Sequence, residues 1–326
     1  MPNDKAAGPS MITYEMLKHL GPRISDLLLI LIQHCLLTAD IPDLWRQAMV
    51  FPIPKPHEWK CQLKNTRPIT LLEVIRKTLV KLFYNRLSSI LATHNVLKGG
   101  NFAGLPGGSC RDPIITLESI IHDAQLNKNP LWILLKIFQR LLILLTFLCF
   151  VLLFNESAFL HQPVRIGIDQ GEVISPLLWV IYIDPLLTVL KNEMIDPYVL
   201  SAPSLSASQL STPDLRVNNL VFMDDSTLIS STKSGMESML SITEEFYAIN
   251  NTSANHNKYV LITNSLPLTS ASTPSPVNFN LKLSDLNRVP FISITPISMT
   301  TSFRFLGVWF NINSTRDLSK TSRTRM

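Results

Sequence analysis

Between Leu131 and Phe154 the chain reads LWILLKIFQRLLILLTFLCFVLLF, the most apolar stretch of its 326 residues. A run of this kind must leave water, and it constrains the fold more than any other part of the chain. A membrane helix needs about 20 predominantly apolar residues in succession. Leu141 to Phe154 supplies fourteen before Asn155, and extending the run back to Leu131 encloses Lys136, Gln139 and Arg140. A core-seeking element therefore accounts for the stretch better than a membrane span, which stays as the minor alternative. Left exposed, the same residues would be an aggregation hazard.

A formal net charge of +5 tilts the chain only slightly toward anionic partners such as nucleic acid. Cys35, Cys61, Cys110 and Cys149 are scattered, with no CxxC pair and no histidine at metal-ligand spacing, which fits reduced thiols in an intracellular protein. The first residues, MPNDKAAGPSMITYEML, lack a basic region followed by an apolar one, so no secretory signal is expected. A nuclear or cytoplasmic location follows as the expectation.

Apolar residues recur at helical spacing from Ile12 to Leu20 and from Ile24 to Leu37, with Gly21-Pro22 and Ile41-Pro42 as breakers. QAMVFPIPKP has a short strand pattern and runs into a basic loop holding Lys55, Lys60, Lys64 and Arg67. The next segment, LLEVIRKTLVKLFYNRLSSILATH, is an amphipathic helix whose charges are expected to face solvent. Two Ser/Thr/Pro-rich segments, SAPSLSASQLSTP and NSLPLTSASTPSP, read as surface loops. Between them Val217 to Phe222 and Thr227 to Ser231 form a hairpin. A helix from Met236 to Ile249 and a strand in KYVLITN follow.

Asp224 and Asp225 stand at the tip of that apolar hairpin. Two adjacent carboxylates there are costly unless a cation neutralises them, and Mg²⁺ is the natural one because it takes one or two carboxylates plus substrate phosphates. A plain polar turn is the competing explanation. Upstream, GIDQGEVISPLLWVIYIDPLL places Gly171 where a backbone can approach a ligand, ahead of a helix entered at Ser175-Pro176.

QGEVISPLL together with FMDD resembles the loop-and-hairpin pair of reverse transcriptases of non-LTR (LINE-type) retrotransposons. DKAAGPSMITYEMLKHL, IPKP with RPITLLEVIRKTLVKLFYNRL, AGLPGGSCRDPI and FRFLGVWF match further blocks of that family in order. The resemblance covers residues 1–130 and 163–312. It implies an α+β fold: a right-hand polymerase's fingers and palm, the palm an RRM-like antiparallel sheet, with the first palm strand disrupted and the thumb largely absent. The corresponding divisions are fingers in 1–130, an aberrant apolar segment in 131–162 and palm in 163–263. A Ser/Thr/Pro-rich loop in 264–280 and a primer-grip-like hairpin with a truncated C-terminus in 281–326 complete them. Too little sequence follows Phe310 for a full thumb and no endonuclease precedes Met1, so a degenerate piece of a retrotransposon polyprotein is expected.

Residue by residue, the resemblance implies that Asp224 and Asp225 hold catalytic Mg²⁺ and that Gln170 and Gly171 lie against the incoming nucleotide and template. Lys55 and Arg67 correspond to a triphosphate clamp, for which a guanidinium offers bidentate contact. Lys258 corresponds to the lysine proposed to protonate the pyrophosphate leaving group, or is an exposed strand-start lysine. Phe305, Leu306 and Gly307 correspond to the primer grip, or form a plain edge hairpin. The implied partners are an RNA template, a DNA primer and a dNTP, joined by two-metal nucleotidyl transfer.

That chemistry needs a third carboxylate, which the family carries on the first palm strand in the pattern Asp, three variable residues, Ala, aromatic, Asp. Here LWILL is followed by Lys136, and no acid occurs from Pro130 until Glu156. A lysine at the metal position would repel Mg²⁺, so catalysis is expected to be lost. A frameshift offers a cause. KIFQRLLIL can be encoded AAG ATA TTT CAA AGG CTT TTG ATT CTN, and the same DNA read from its third base gives D-I-S-K-A-F-D-S. Sequencing the coding DNA is expected to show codons for Lys136 to Leu144 that yield this motif in the shifted frame, with the frame restored before Gly167. Codons incompatible with an acid followed by A-F-D would refute it.

Overall fold

The computed structural model describes residues 3–54, 61–137, 172–201, 214–250, 252, 254–266, 274–284, 291–313 and 315–317. The chain divides into two compact units, Met1–His94 with Arg140–Trp179, and Asn95–Gln139 with Val180–Met326. Helices and antiparallel strands are mixed in both, so the α+β class expected from the sequence holds.

In the first unit the helical periodicities become α1 (Tyr14–Lys18) and α2 (Pro22–Thr38), followed by the short α3 (Asp43–Arg46). Thr13 caps α1 by accepting the Met16 N–H at 3.3 Å. Pro22 starts α2, where its missing N–H costs nothing. Strand β1 (Ala48–Pro54) pairs antiparallel with β2 (Thr66–Leu72), and α4 (Val74–Thr93) follows. Arg67, expected in a basic loop, lies instead within β2 opposite Ile53. Gly8 packs against the start of α4: a Cβ there would stand 2.7 Å from the Cα of Glu73, whose carboxylate accepts the Ser10 N–H at 2.6 Å.

The core of this unit joins Ile32 and Cys35 of α2 to Trp45 and Leu79. Ile24, Leu27, Leu29, Ile30 and Leu37 of α2 are exposed, so the helix is apolar on nearly every side. One charged residue departs from the solvated helix face expected for α4. Arg76 is largely buried, with Nη2 3.0 Å from the carboxylate of Glu172.

The second unit is organised by a four-stranded antiparallel sheet. After α5 (Arg111–Asn127) the chain enters β3 (Trp132–Ile137). Helix α6 (Ser175–Asn192) begins in the first unit and ends in the second. Strands β4 (Tyr198–Leu200) and β5 (Leu215–Val217) pair with each other. Strands β6 (Asn219–Phe222) and β7 (Asp225–Ser230) form the expected hairpin, then α7 (Lys233–Ile249) leads to β8 (Val260–Thr263). The sheet order is β6-β7-β3-β8, which makes β3 a central strand. The first strand, expected to be disrupted, is thus formed through Ile137, and the remainder of the apolar run lies outside the described residues. Among the described residues no helix is long and apolar enough to cross a membrane.

The two faces of this sheet differ. Ile133, Leu220, Ile229 and Ile262 pack with Leu117, Ile120 and Ile121 of α5. The same cluster takes in Phe303, Phe305 and Phe310, contributed by the hairpin of β11 (Phe303–Phe305) and β12 (Val308–Asn311). On the opposite face Trp132 meets Phe279 edge-on at 6.1 Å between ring centroids. Phe279 belongs to β9 (Val277–Asn280), which pairs with β10 (Phe291–Ile294), while β13 (Thr315–Arg316) adds to β12.

Candidate functional site

The site is built around the turn between β6 and β7. Phe222 pairs with Asp225, leaving Met223 and Asp224 as a two-residue loop. Of the two, only Met223 has a positive φ, 56°, a value that suits glycine and strains a side chain. Asp224 is exposed and Asp225 is half-buried. Burial, and then the neighbouring Asp224 charge, hold the Asp225 carboxyl above the usual carboxylate range.

Across the sheet, Asp225 pairs with Ile137 and Ser226 with Lys136. Since side chains alternate along a strand, positions 137 and 225 share one face and Lys136 belongs to the other. This corrects the expectation that Lys136 occupies the metal position. Its side chain is 1 % exposed and donates to Thr243 Oγ1 of α7 at 3.2 Å. Burial pulls its ammonium down to about 7 against the opposing pull of Glu244. Glu244 is in turn 2.9 Å from His256 Nε2. The lysine is therefore a helix-facing core residue and not a charge beside Asp225.

The other residues singled out in the sequence fall in several places. Arg67 is exposed on β2, in the first unit. Lys258 is exposed in a 3-10 turn, His256–Lys258, that precedes β8, on the sheet edge opposite β6. Phe305 is buried, and Leu306 and Gly307 make the tight β11–β12 turn with φ of 46° and 87°. Its Phe303 and Phe305 pack with Ile229, so this hairpin covers the face to which Asp225 belongs by alternation. Lys55, Gln170 and Gly171 lie outside the described residues.

Two features escaped sequence reasoning. Asn101 reaches the hairpin turn, its Oδ1 accepting the N–H groups of Met223 at 3.3 Å and of Ala103 at 3.0 Å. No local pattern marks it, because it sits in a loop of positive-φ glycines at Gly100 and Gly104. The Lys136–Thr243–Glu244–His256 cluster was also hidden, although a helix carrying Thr243 and Glu244 amid Met236, Met239, Leu240 and Tyr247 hints at a buried polar patch.

Adjacent carboxylates at one turn can share a Mg²⁺ with a substrate's phosphates. Among the described residues, however, no group of three or more His, Cys, Asp or Glu side chains could hold a metal ion. The residue paired with Asp225 in the register of β3 and β7 is Ile137. Among the described residues, the two-ion arrangement implied by the sequence resemblance thus finds two adjacent carboxylates at the turn and no third acid beside them.

Comparison with known proteins adds two findings. A family model described as reverse transcriptase (RNA-dependent DNA polymerase) matches residues 119–310. The chain is also similar to a Drosophila melanogaster protein named "Probable RNA-directed DNA polymerase from transposon BS", at 24 % identity over 223 residues. That alignment takes in 60 % of this chain and 24 % of the relative, so the chain spans about a quarter of the relative's length.

Proposed function

The chain belongs to the reverse transcriptase (RNA-dependent DNA polymerase) family, and on that footing we propose a retrotransposon-derived reverse transcriptase domain that keeps a template-and-primer surface but has lost nucleotidyl transfer. The sheet β6-β7-β3-β8 with α6 and α7 serves as the palm, and the β1–β2 hairpin with α4 as part of the fingers. Residues 131–162 are the altered first palm segment, 163–263 the rest of the palm, 264–280 a surface loop and 281–326 the primer-grip hairpin with its continuation.

Within this reading Lys55 and Arg67 engage the triphosphate, and Gln170 and Gly171 line the nucleotide and template. Phe305, Leu306 and Gly307 support the primer end, and Lys258 is the group that would give a proton to pyrophosphate. Asp224 and Asp225 remain from a carboxylate set that the parent family uses with divalent ions. Nucleic-acid partners imply action in the nucleus or cytoplasm.

The observation that carries the loss of chemistry is Ile137 opposite Asp225, in a chain with no acid between Pro130 and Glu156. Two carboxylates without a third leave the primer hydroxyl and the leaving group without a shared clamp. Primer extension on an RNA template with Mg²⁺ and dNTPs is expected to give no incorporation above that of Asp224→Ala. Incorporation that Asp224→Ala abolishes would overturn the proposal. Binding to an RNA/DNA hybrid should persist and weaken by one or more orders of magnitude between about 50 and about 200 mM salt.

A further inference from the structure

The loop from Lys98 to Gly104 is anchored on two sides. On one, Asp184 of α6 accepts the N–H groups of Lys98 at 3.2 Å and of Gly99 at 2.8 Å. Gly99 lies so close to α6 that a Cβ would stand 2.3 Å from the Cβ of Leu187. On the other, the Phe102 N–H donates to the Val221 carbonyl of β6 at 2.9 Å. Asn101 sits between the anchors, and its Oδ1 receives Met223 N–H and Ala103 N–H. Two donated hydrogens identify that atom as the oxygen.

The amide nitrogen of Asn101 is buried and has no hydrogen-bond partner among the described residues. An unmet buried donor is destabilising. Met223, in the left-handed region at a φ of 56°, adds a further cost. Both costs fall at the residue pair that joins the loop to the hairpin. An aspartate would supply the same acceptor without the orphan donor, but would add a third negative charge beside the turn that carries Asp224 and Asp225.

We propose that Asn101 is a positioning residue, whose side-chain carbonyl holds Met223 in its left-handed conformation and so fixes the direction in which the Asp224–Asp225 turn presents its carboxylates. Its functional sense rests on the reading of those carboxylates given above, whereas the mechanical coupling of Asn101 to Met223 does not. The loop transmits the position of α6, through Asp184 and Gly99, to the tip of the hairpin. Asn101 acts through the turn and touches no reacting atom.

Hydrogen exchange followed by mass spectrometry on the full chain tests the coupling without reference to activity. Asn101→Leu is expected to speed exchange in the peptide spanning Val221 to Asp225 by about tenfold, the loss of one hydrogen bond. Peptides from α5 and β8 should be unchanged. Glycine adopts positive φ without strain, so in a Met223→Gly background the same Asn101→Leu substitution is expected to change exchange at the turn far less. The double variant also provides the readout if Asn101→Leu alone fails to fold. An unchanged turn in Asn101→Leu, faster exchange throughout the second unit, or an equal effect with and without Met223→Gly would each overturn the proposal. Primer extension by these variants bears on the functional reading alone, so the two can fail separately.

Discussion

Replacing Lys136 with methionine is expected to stabilise the second unit by about 2–3 kcal/mol at pH 7. Holding a lysine that ordinarily titrates at 10.5 down at about 7 corresponds to a penalty of ~4 kcal/mol at neutral pH. Losing the bond to Thr243 and refitting the space take part of that back, while Glu244 keeps His256 as its neighbour. The pH dependence follows from the direction of the shift. Between about 7 and 10.5 the unfolded chain carries a proton that the folded chain has released, so wild-type stability should rise with pH across that window. Below about 7 both states are protonated and the penalty is complete. Urea unfolding of both proteins from pH 6 to pH 10 measures this. A variant less stable than wild type at pH 7, or an advantage that does not shrink as pH rises, would contradict the assignment.

Ile137→Asp is the second change with a large expected effect. It places a carboxylate directly across β3 and β7 from Asp225. Without a cation the added charge should destabilise the unit by about 1–3 kcal/mol. With one, three carboxylates replace two, and Mn²⁺ affinity should rise on the order of tenfold or more. Thermal unfolding with and without Mn²⁺ reads both effects, because a cation that binds only the folded chain raises its midpoint. Asp224→Ala in the Ile137→Asp background should cancel the gain. A midpoint that responds to Mn²⁺ no more in Ile137→Asp than in wild type would show that the two positions do not form a site.

Much of this architecture was legible in the order of the sequence motifs. The alternation of Val217 to Phe222 and of Thr227 to Ser231 specified the hairpin, although Asn218 divides the first strand. Its amide donates to the Leu190 carbonyl, and the chain passes there from pairing with β4 to pairing with β7. Periodicity cannot show such a transfer, because both strands look alike locally. The charges of α4 were misleading for a similar reason: a partner as distant as Glu172 decides whether Arg76 is solvated.

Register is what sequence reasoning lacked at the site. Counting from LWILL identified Lys136 as the residue in the carboxylate's place, a shift of one position, and on a strand one position changes the face. In the shifted frame the first Asp codon takes one base from the codon of Lys136 and two from that of Ile137, and Ile137 is the residue paired with Asp225. The contribution of Asn101 could not be read at all, since it depends on a loop brought to the hairpin by Asp184.

The central place of β3 also has a consequence during synthesis. Its partners on either side lie roughly ninety and roughly one hundred and thirty residues further along the chain. At ribosomal rates of about 5–20 residues per second, both edges of this strand wait for several seconds or longer before they are covered. The apolar run Leu141 to Phe154 emerges directly behind it during that interval. Yield of the soluble chain should therefore be governed by the kinetics of that wait and by the chaperones that attend it, more than by the stability of the finished sheet.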